Sequence, residues 1–464
     1  MVEAQTKNQN AFWLWNDRVD WILRGDVRYW IPQFIEAEKQ IKPFLFFNEF
    51  VKKISSGENL RQQEGDYIFF RTQNLYDILP DLSEVSFTNT RGDLIQEGDL
   101  LFGRVGKIGT SCVYIGDNKK EATYSDNILK VEIDKDKINP FFVSVFLASK
   151  FGQVQFQRQQ KGTNQPLLDT EILRRLKILV ATRNNQQKVE QIVKDAFRLK
   201  QEAEKEYQEA VEVFLKSIKT YISEWDTLTS ETTKAFWLWS DQVDIASRID
   251  PDYYSGEGMR NKLGKTKSLG ELAEIKIGKT PAFDDYLPSG ERRIMKFRAI
   301  TGRGIDLENE ERGFIKEEFF QKNKQNKLNK DDIVLGSAAH QAHYIGKYLD
   351  IVDELPKEFA DGVLTVAEIM TIRAKEAINP FVLLLFLRSG LGYELIQRQI
   401  KGQTSHLYPK DVGGIGIPEA ITKISKSEAG KAIESNVRSS LEKSRLSRQK
   451  LQEAKKVVEN LIVK

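Results

Sequence analysis

Residues 11–20 read AFWLWNDRVD and residues 235–244 read AFWLWSDQVD, identical at eight of ten positions with two tryptophans in each copy. Agreement of that density in rare residues marks an internal repeat. Working outward, Asn139-Pro140-Phe141 is followed by QRQQKG from Gln157, and Asn379-Pro380-Phe381 by QRQIKG from Gln397, at the same internal spacing. Weaker matches lie between: Phe70-Arg71 with Phe297-Arg298, and DLLFG from Asp99 with DIVLG from Asp332. The offset between copies drifts from about 224 to about 240 residues. Insertions have therefore accumulated in the middle of each unit, so the ends read as scaffold and the middles as variable content.

The middles carry short apolar runs, at 67–70, 100–102, 112–115 and 333–335, punctuated by Gly and Asp, which predicts strands and turns. After each Asn-Pro, FFVSVFLASKFGQVQFQRQ and FVLLLFLRSGLGYELIQRQ place apolar residues at helical spacing with Pro in the first turn, which predicts one helix in each unit, ending at a Lys-Gly turn. Beyond the turn lie polar loops, Thr163-Asn164-Gln165-Pro166 and Gln403-Thr404-Ser405-His406, and then a short apolar strand. These loops are the most site-like segments.

Each unit closes on a longer helix. From 184 to 219, Val189, Ile192, Val193, Ala196, Leu199, Ala203, Tyr207, Ala210, Phe214 and Ile218 form one apolar stripe among charged residues. From 428 onward, Ile433, Val437, Leu441, Leu451, Ala454, Val458 and Leu461 form a second, interrupted by Ser444 and Ser447, where looser helix contacts are expected. Helices of that length span on the order of 50 Å each, and the simplest burial for two such stripes is an antiparallel pair of coiled-coil type. The fold class expected is α+β with pseudo-twofold symmetry: globular domains over 1–182 and 223–420, separated by spacer helices over 183–222 and 421–464.

Composition narrows the function. A chain of 464 residues makes two to four domains at roughly 100 to 200 residues each. With 40% hydrophobic and 30% charged residues it is not a disordered chain, and a net charge of +3 excludes a uniformly basic surface while leaving room for local basic loops. The single cysteine, Cys112, excludes an intramolecular disulfide and a cysteine-based zinc cluster, as expected in a reducing compartment. The polar start MVEAQTKNQN lacks a signal core, and the apolar runs near 141–148 and 381–387 are too short to span a bilayer, so the expected location is cytoplasmic.

Three motifs invite sharper readings. Asn139-Pro140-Phe141-Phe142 is close to the Asn-Pro-Pro-aromatic motif of amino-group methyltransferases, but the second Pro and a cofactor loop are missing. Its recurrence as Asn379-Pro380 before a second apolar helix favours a helix start. His340-Gln341-Ala342-His343 offers two ligands where zinc normally takes three or four from the protein, so a contact loop or a surface turn is favoured over a metal site. Residues 103–109, GRVGKIG, lack the G-K-[ST] ending of a phosphate loop. The absence of a cofactor loop, a nuclease-like carboxylate cluster and a nucleophile triad argues against a self-contained enzyme, and no metal or cofactor site is expected in the chain.

The order of globular domain and long helix, repeated twice, resembles the specificity subunit of type I restriction-modification enzymes over nearly the whole chain. Residues 272–281, LAEIKIGKTP, resemble the opening of a target-recognition domain, and Phe70-Arg71-Thr72 the strand that follows it. The run from Arg158 through Lys161-Gly162-Thr163 to Leu176-Lys177-Ile178, before a helix near Gln186-Gln187-Lys188-Val189, also matches in kind. Where the second half has Gly-Lys-Thr-Pro, the first has Ile54-Ser55-Ser56-Gly57-Glu58. The resemblance implies a non-catalytic subunit whose two target-recognition domains each read one half of a bipartite DNA target. It implies that the helices set the spacing and that two adenine methyltransferase subunits dock, with restriction and translocase subunits able to join. S-adenosylmethionine and ATP, where used, would then bind the partner subunits.

Base reading needs donor and acceptor side chains on loops that can enter a groove. The candidates for DNA contact are Arg71, Gln73, Asn74, Arg104, Lys107, Lys161, Thr163 and Asn164 in the first domain. In the second they are Lys279, Thr280, Arg298, Arg303, His343, Lys401, Gln403 and Ser405. The Phe-Trp-Leu-Trp segments read as packing elements before base-stacking platforms. The rival reading is a coiled-coil adaptor whose duplicated domains bind protein and not DNA.

Overall fold

The computed structural model describes residues 27–82, 85–106, 108–116, 120–159, 167–227, 263–309, 312–359, 362–402 and 405–463. The two Phe-Trp-Leu-Trp segments, Lys107, Lys161, Thr163, Asn164 and Gln403 lie outside them. The chain divides into two units, Met1–Lys200 with Leu446–Lys464, and Gln201–Arg445. Both mix α-helix with β-sheet.

In the first unit a four-stranded antiparallel sheet runs in the order Val51–Ser56, Ile128–Ile133, Leu100–Gly103, Ser111–Val113. Leu100–Gly103 is buried at every position, which is why its sequence is a continuous apolar run and not an alternating one. A three-stranded sheet orders Ser86–Thr88, Tyr67–Phe70, Ala122–Tyr124, the last two parallel. A two-strand ribbon pairs Phe44–Phe46 with Lys177–Leu179, tying the start of the unit to its end.

The second unit repeats this plan. Its four-stranded sheet runs Ala273–Ile277, Ile369–Ala374, Ile333–Gly336, Leu349–Ile351. Its smaller sheet holds Arg293–Met295 parallel to Val363–Thr365, and its ribbon pairs Thr266–Ser268 with Gly416–Pro418.

The Asn-Pro segments start helices in both units, as capping chemistry requires. Asn139 Oδ1 accepts from the N–H groups of Phe141 (2.9 Å) and Phe142 (3.3 Å), and its Nδ2 donates to Glu190 of the following long helix at 2.6 Å. Asn379 repeats the arrangement with Phe381, Val382 and Glu434. Both amides are consumed by the fold, which removes the methyltransferase-motif reading.

The single helix expected after each cap is two helices. Pro140–Ala148 and Lys150–Gln159 break at Ser149, and Pro380–Arg388 and Gly390–Gln397 break at Ser389. Each serine is extended and its hydroxyl donates back to the carbonyl three residues earlier at 2.6 Å. The second helix then folds so tightly onto the first that a Cβ on Gly152 or Gly392 would lie 2.4 or 2.1 Å from a carbonyl oxygen. Helical spacing persists across the break, so periodicity alone could not reveal it.

The long helices are Arg183–Lys219 and Glu428–Val463. In the first unit Val189, Ile192, Val193 and Ala196 join a core that also holds Ala454, Val458 and Ile462. In the second, Tyr207, Ala210, Phe214 and Ile218 join one that holds Ile433, Val437 and Leu441. The serine interruption is not a loose contact as expected. Ser440, Ser444 and Ser447 are all buried; Ser440 Oγ donates to Ala203 O in the second unit and Ser447 Oγ to Ala196 O in the first, each at 2.7 Å. Small side chains let backbones approach until a hydroxyl reaches a main-chain carbonyl. Among the described residues no helix is long and apolar enough to cross a membrane.

Candidate nucleic-acid interface

In each unit two strands of the four-stranded sheet end where a third begins, and the loops leaving that end carry most of the candidate residues. The same backbone hydrogen bonds build it twice. Gly57 and Glu58 donate to Ile128 O and Tyr124 O, as Gly278 and Lys279 donate to Ile369 O and Thr365 O. Arg104 donates to Asn127 O as Ser337 does to Glu368 O, and Leu168 donates to Arg104 O as Leu407 does to Ser337 O. Ser125 donates to Phe70 O as Val366 does to Met295 O. A Cβ on Gly57 or Gly278 would meet a main-chain oxygen at 2.3 or 2.2 Å, so glycine is what lets each strand turn out of the sheet beside the neighbouring loop.

This register corrects one sequence match. Phe70 lies opposite Tyr124 and Met295 opposite Thr365, so Arg71 corresponds to Lys296, and Gln73 to Arg298. The two Phe-Arg pairs are two residues out of register. Arg71 and Lys296 are the caps of equivalent short 3₁₀ helices, Thr72–Asn74 and Phe297–Ala299, and Gln73 and Arg298 are exposed at their middles.

On the first face, Arg71 Nη1 donates to Gln62 Oε1 at 3.4 Å, and Arg104 Nη1 lies 3.1 Å from both Ser56 Oγ and Asp126 O. Asn74 does not present its side chain to solvent. It is 2% exposed, its Oδ1 accepts from Arg71 N and its Nδ2 donates to Asp81 O, so it shapes the loop. Beneath the face lies buried Lys130, whose Nζ donates to Asp93 Oδ1 at 3.0 Å and to Leu94 O at 2.6 Å. Asp93 also accepts from Tyr124 Oη and Ser55 Oγ. Burial pushes the Asp93 carboxyl up, but the hydrogen bonds from Tyr124, Lys130 and Ser55 outweigh it and hold it at about 2.

On the second face, Lys279, Thr280, Arg298 and His343 are all exposed. Thr280 Oγ1 donates to Glu368 Oε2 at 3.1 Å and accepts from Ala367 N. Lys401 pairs with Asp411 at 2.7 Å, and its backbone forms a bridge with His406. Ser405 O accepts from Ala339 N, which ties Ser405 to the segment that carries His343. Arg303 is the exception: its guanidinium is bound within the unit by Glu204 and does not point outward with the others.

The loop 337–348 is five residues longer than its counterpart 104–110 between equivalent strands, and the extra length holds the His340–His343 segment. His343 stacks on Tyr344 with centroids 4.1 Å apart, Tyr344 neighbours Tyr348, and Tyr348 meets Phe297 edge-on. Tyr344 and Tyr348 are 41% and 38% exposed. Sequence reasoning missed this ladder, as it missed Glu58 and Lys296. The signals were the unequal loop lengths and the alignment of Gly57 with Gly278. Among the described residues no three His, Cys, Asp or Glu side chains gather as a metal site.

Exposed polar side chains therefore stand on both faces, and aromatic rings on the second. Residues 47–213 match the profile of the type I restriction modification DNA specificity domain. The matched residues include the first loop-bearing face, and the second unit repeats its sheet order and register. The chain is also similar to the crystal structure of a type I restriction-modification system S subunit from M. genitalium, at 15% identity over 90% of this chain and 92% of that one, with a TM-score of 0.35. A second is the HsdS subunit from Thermoanaerobacter tengcongensis, at 12% identity over 89% and 97%, with a TM-score of 0.27. Among curated proteins none matches the sequence.

Proposed function

We propose that this chain is the non-catalytic DNA sequence-specificity subunit of a type I restriction-modification complex. The observation that carries the proposal is the duplicated face: one set of backbone hydrogen bonds presents exposed polar side chains twice in one chain, and one copy lies in the matched specificity domain. Each face reads one half of a bipartite duplex target, with the intervening bases unread. The two long helices pair antiparallel through their buried stripes and set the gap, giving the subunit pseudo-twofold symmetry. Two adenine methyltransferase subunits dock on it, and restriction and translocase subunits join where the system restricts. S-adenosylmethionine and ATP bind those partners, and the complex works in the cytoplasm.

The test is a genome-wide map of N6-methyladenine by single-molecule sequencing in the source strain and in a strain lacking this gene. A split motif of constant gap that vanishes on deletion is expected. Unchanged methylation, together with binding to the methyltransferase that leaves duplex affinity insensitive to salt, would overturn the reading in favour of a protein adaptor.

A further inference from the structure

Directly after each recognition 3₁₀ helix the chain makes a six-residue hairpin, 75–80 in the first unit and 300–305 in the second. The two are equivalent: Leu75 pairs with Pro80 as Ile300 bridges Ile305, and Asp81 N donates to Asn74 O as Asp306 N does to Ala299 O. Each hairpin tip is tied to a long helix, and the two ties have opposite polarity. In the second unit the hairpin carries the cation. Arg303 makes a forked contact to Glu204 of Arg183–Lys219, with Nη2 at 3.0 and 2.8 Å and Nε at 3.1 Å, and stacks on Tyr207 at 3.6 Å from the ring centroid. Tyr207 Oη accepts from Arg388, Arg388 binds the buried Asp350, and Asp350 accepts from Gly304 N of the same hairpin. In the first unit the hairpin carries the anions: Asp77 meets Lys455 of Glu428–Val463, and Lys200 donates to Pro80 O with Asp81 3.9 Å away.

We propose that these hairpins are latches that position each recognition helix, and with it Gln73 or Arg298, on the long helix of its own unit, so that Arg303 and Glu204 are positioning residues for half-site spacing. The inference rests on the specificity-subunit reading. A fork-to-carboxylate contact with ring stacking fixes direction as well as distance, which a lone surface ion pair does not. Opposed polarity also means that exchanging the two hairpins would set like charges against each other.

The experiment uses the full chain in complex with its adenine methyltransferase subunits and a duplex pool in which the gap between half-sites varies by single base pairs, with methylated products sequenced. A wild-type complex that methylates without any gap preference would sink the specificity-subunit reading, and the latch with it. Given a wild-type preference, Glu204→Arg and Arg303→Glu should each lower discrimination against neighbouring gaps on the order of ten-fold, with the first half-site's base preferences unchanged. The double variant Glu204→Arg/Arg303→Glu should restore discrimination. Single reversals that keep wild-type discrimination, or a loss that the double reversal does not repair, overturn the latch while leaving the functional reading standing. Should a single reversal unfold the unit, Arg303→Lys replaces it: charge is kept, fork and stacking are lost, and unchanged discrimination again overturns the proposal.

Discussion

In the first unit Lys130 sits 3% exposed beneath the loop-bearing face, gathering Asp93, Asp99 and, through Asp93, Tyr124 and Ser55. In the second unit Thr371 takes the place of Lys130 and Thr365 that of Tyr124, and the cation stands two residues further along the same strand, where Arg373 forks onto Asp332, the counterpart of Asp99. Side chains two apart on a strand share a face, so both arrangements neutralise the same aspartate from the same side of the sheet. The difference is depth. The first unit carries its charge network inside, while the second moves its ion pair toward the edge and leaves the buried Thr365 hydroxyl without a partner among the described residues. A duplicated sheet can therefore keep its register while the polar layer under its binding end is rebuilt, because register rests on backbone bonds and the polar layer on a few side chains.

The largest break in that comparison should come from Lys130→Met. Removing the cation strands the buried Asp99 and takes one donor from Asp93, which is a third exposed and keeps Tyr124 and Ser55, so the cost should be about 3 kcal/mol, whereas Thr371→Val in the second unit should cost far less. Chemical denaturation of each variant measures both, and equal costs would show that the first network is not holding its unit together. Next, Arg298→Ala and Gln73→Ala remove side chains at equivalent posts in the two units. Each should cost about 1–3 kcal/mol of binding if it reads a base, and relax preference in one half-site only. Sequencing of selected duplexes shows whether the two losses separate; relaxation of both half-sites by one variant would break the assignment of faces.

A smaller effect sharpens the contrast between Tyr124 and Thr365. Tyr124→Phe removes a donor to a charged acceptor and should destabilise by about 1.5 kcal/mol, while Thr365→Val replaces an unpaired hydroxyl and should be neutral or slightly stabilising. Melting temperatures of the two variants decide it. The smallest effect is in acid. Asp93 is held at about 2 against an ordinary value of 3.8, so its folded-state value is depressed. The stabilisation it provides is complete above its unfolded value and is lost as pH falls from there toward 2. Asp93→Asn should flatten the acid limb of the stability profile in that window, and an unchanged limb would remove Asp93 from the account.

The legible parts of the fold were those written in local chemistry. Asn139-Pro140 and Asn379-Pro380 announce helix starts because an Asn side chain and a Pro ring satisfy a first turn whatever surrounds it. Val189 to Ile218 announces a long helix because its stripe recurs at the helical period. The paired DLLFG and DIVLG runs mark equivalent strands because both are buried on two sides. Of the candidate site, exposed Gln73, Lys279, Thr280, Arg298 and His343 do gather at the loop-bearing ends of the sheets. The misreadings share a cause. Phe70-Arg71 and Phe297-Arg298 look alike in letters but are offset in hydrogen-bond register. Arg303 looked like a reader because it is an arginine in a loop, and Ile78, its counterpart in the other hairpin, has nothing in common with it but a backbone position.

By itself, then, the amino-acid sequence determined that this protein is a duplication, where its capped helices begin, which faces of its long helices are buried, and that it lacks the motifs of a self-contained catalyst. Those properties follow from side-chain periodicity and local hydrogen bonding, which act over one or two turns of chain. Only the tertiary structure decided which residues are equivalent between the two faces, that Ser440 and Ser447 draw helices close instead of loosening them, that an aromatic ladder grows from a longer loop, and that Arg303 belongs to a latch. Those depend on strand register and on contacts between residues some 100 positions or more apart, and no local rule carries that information along the chain.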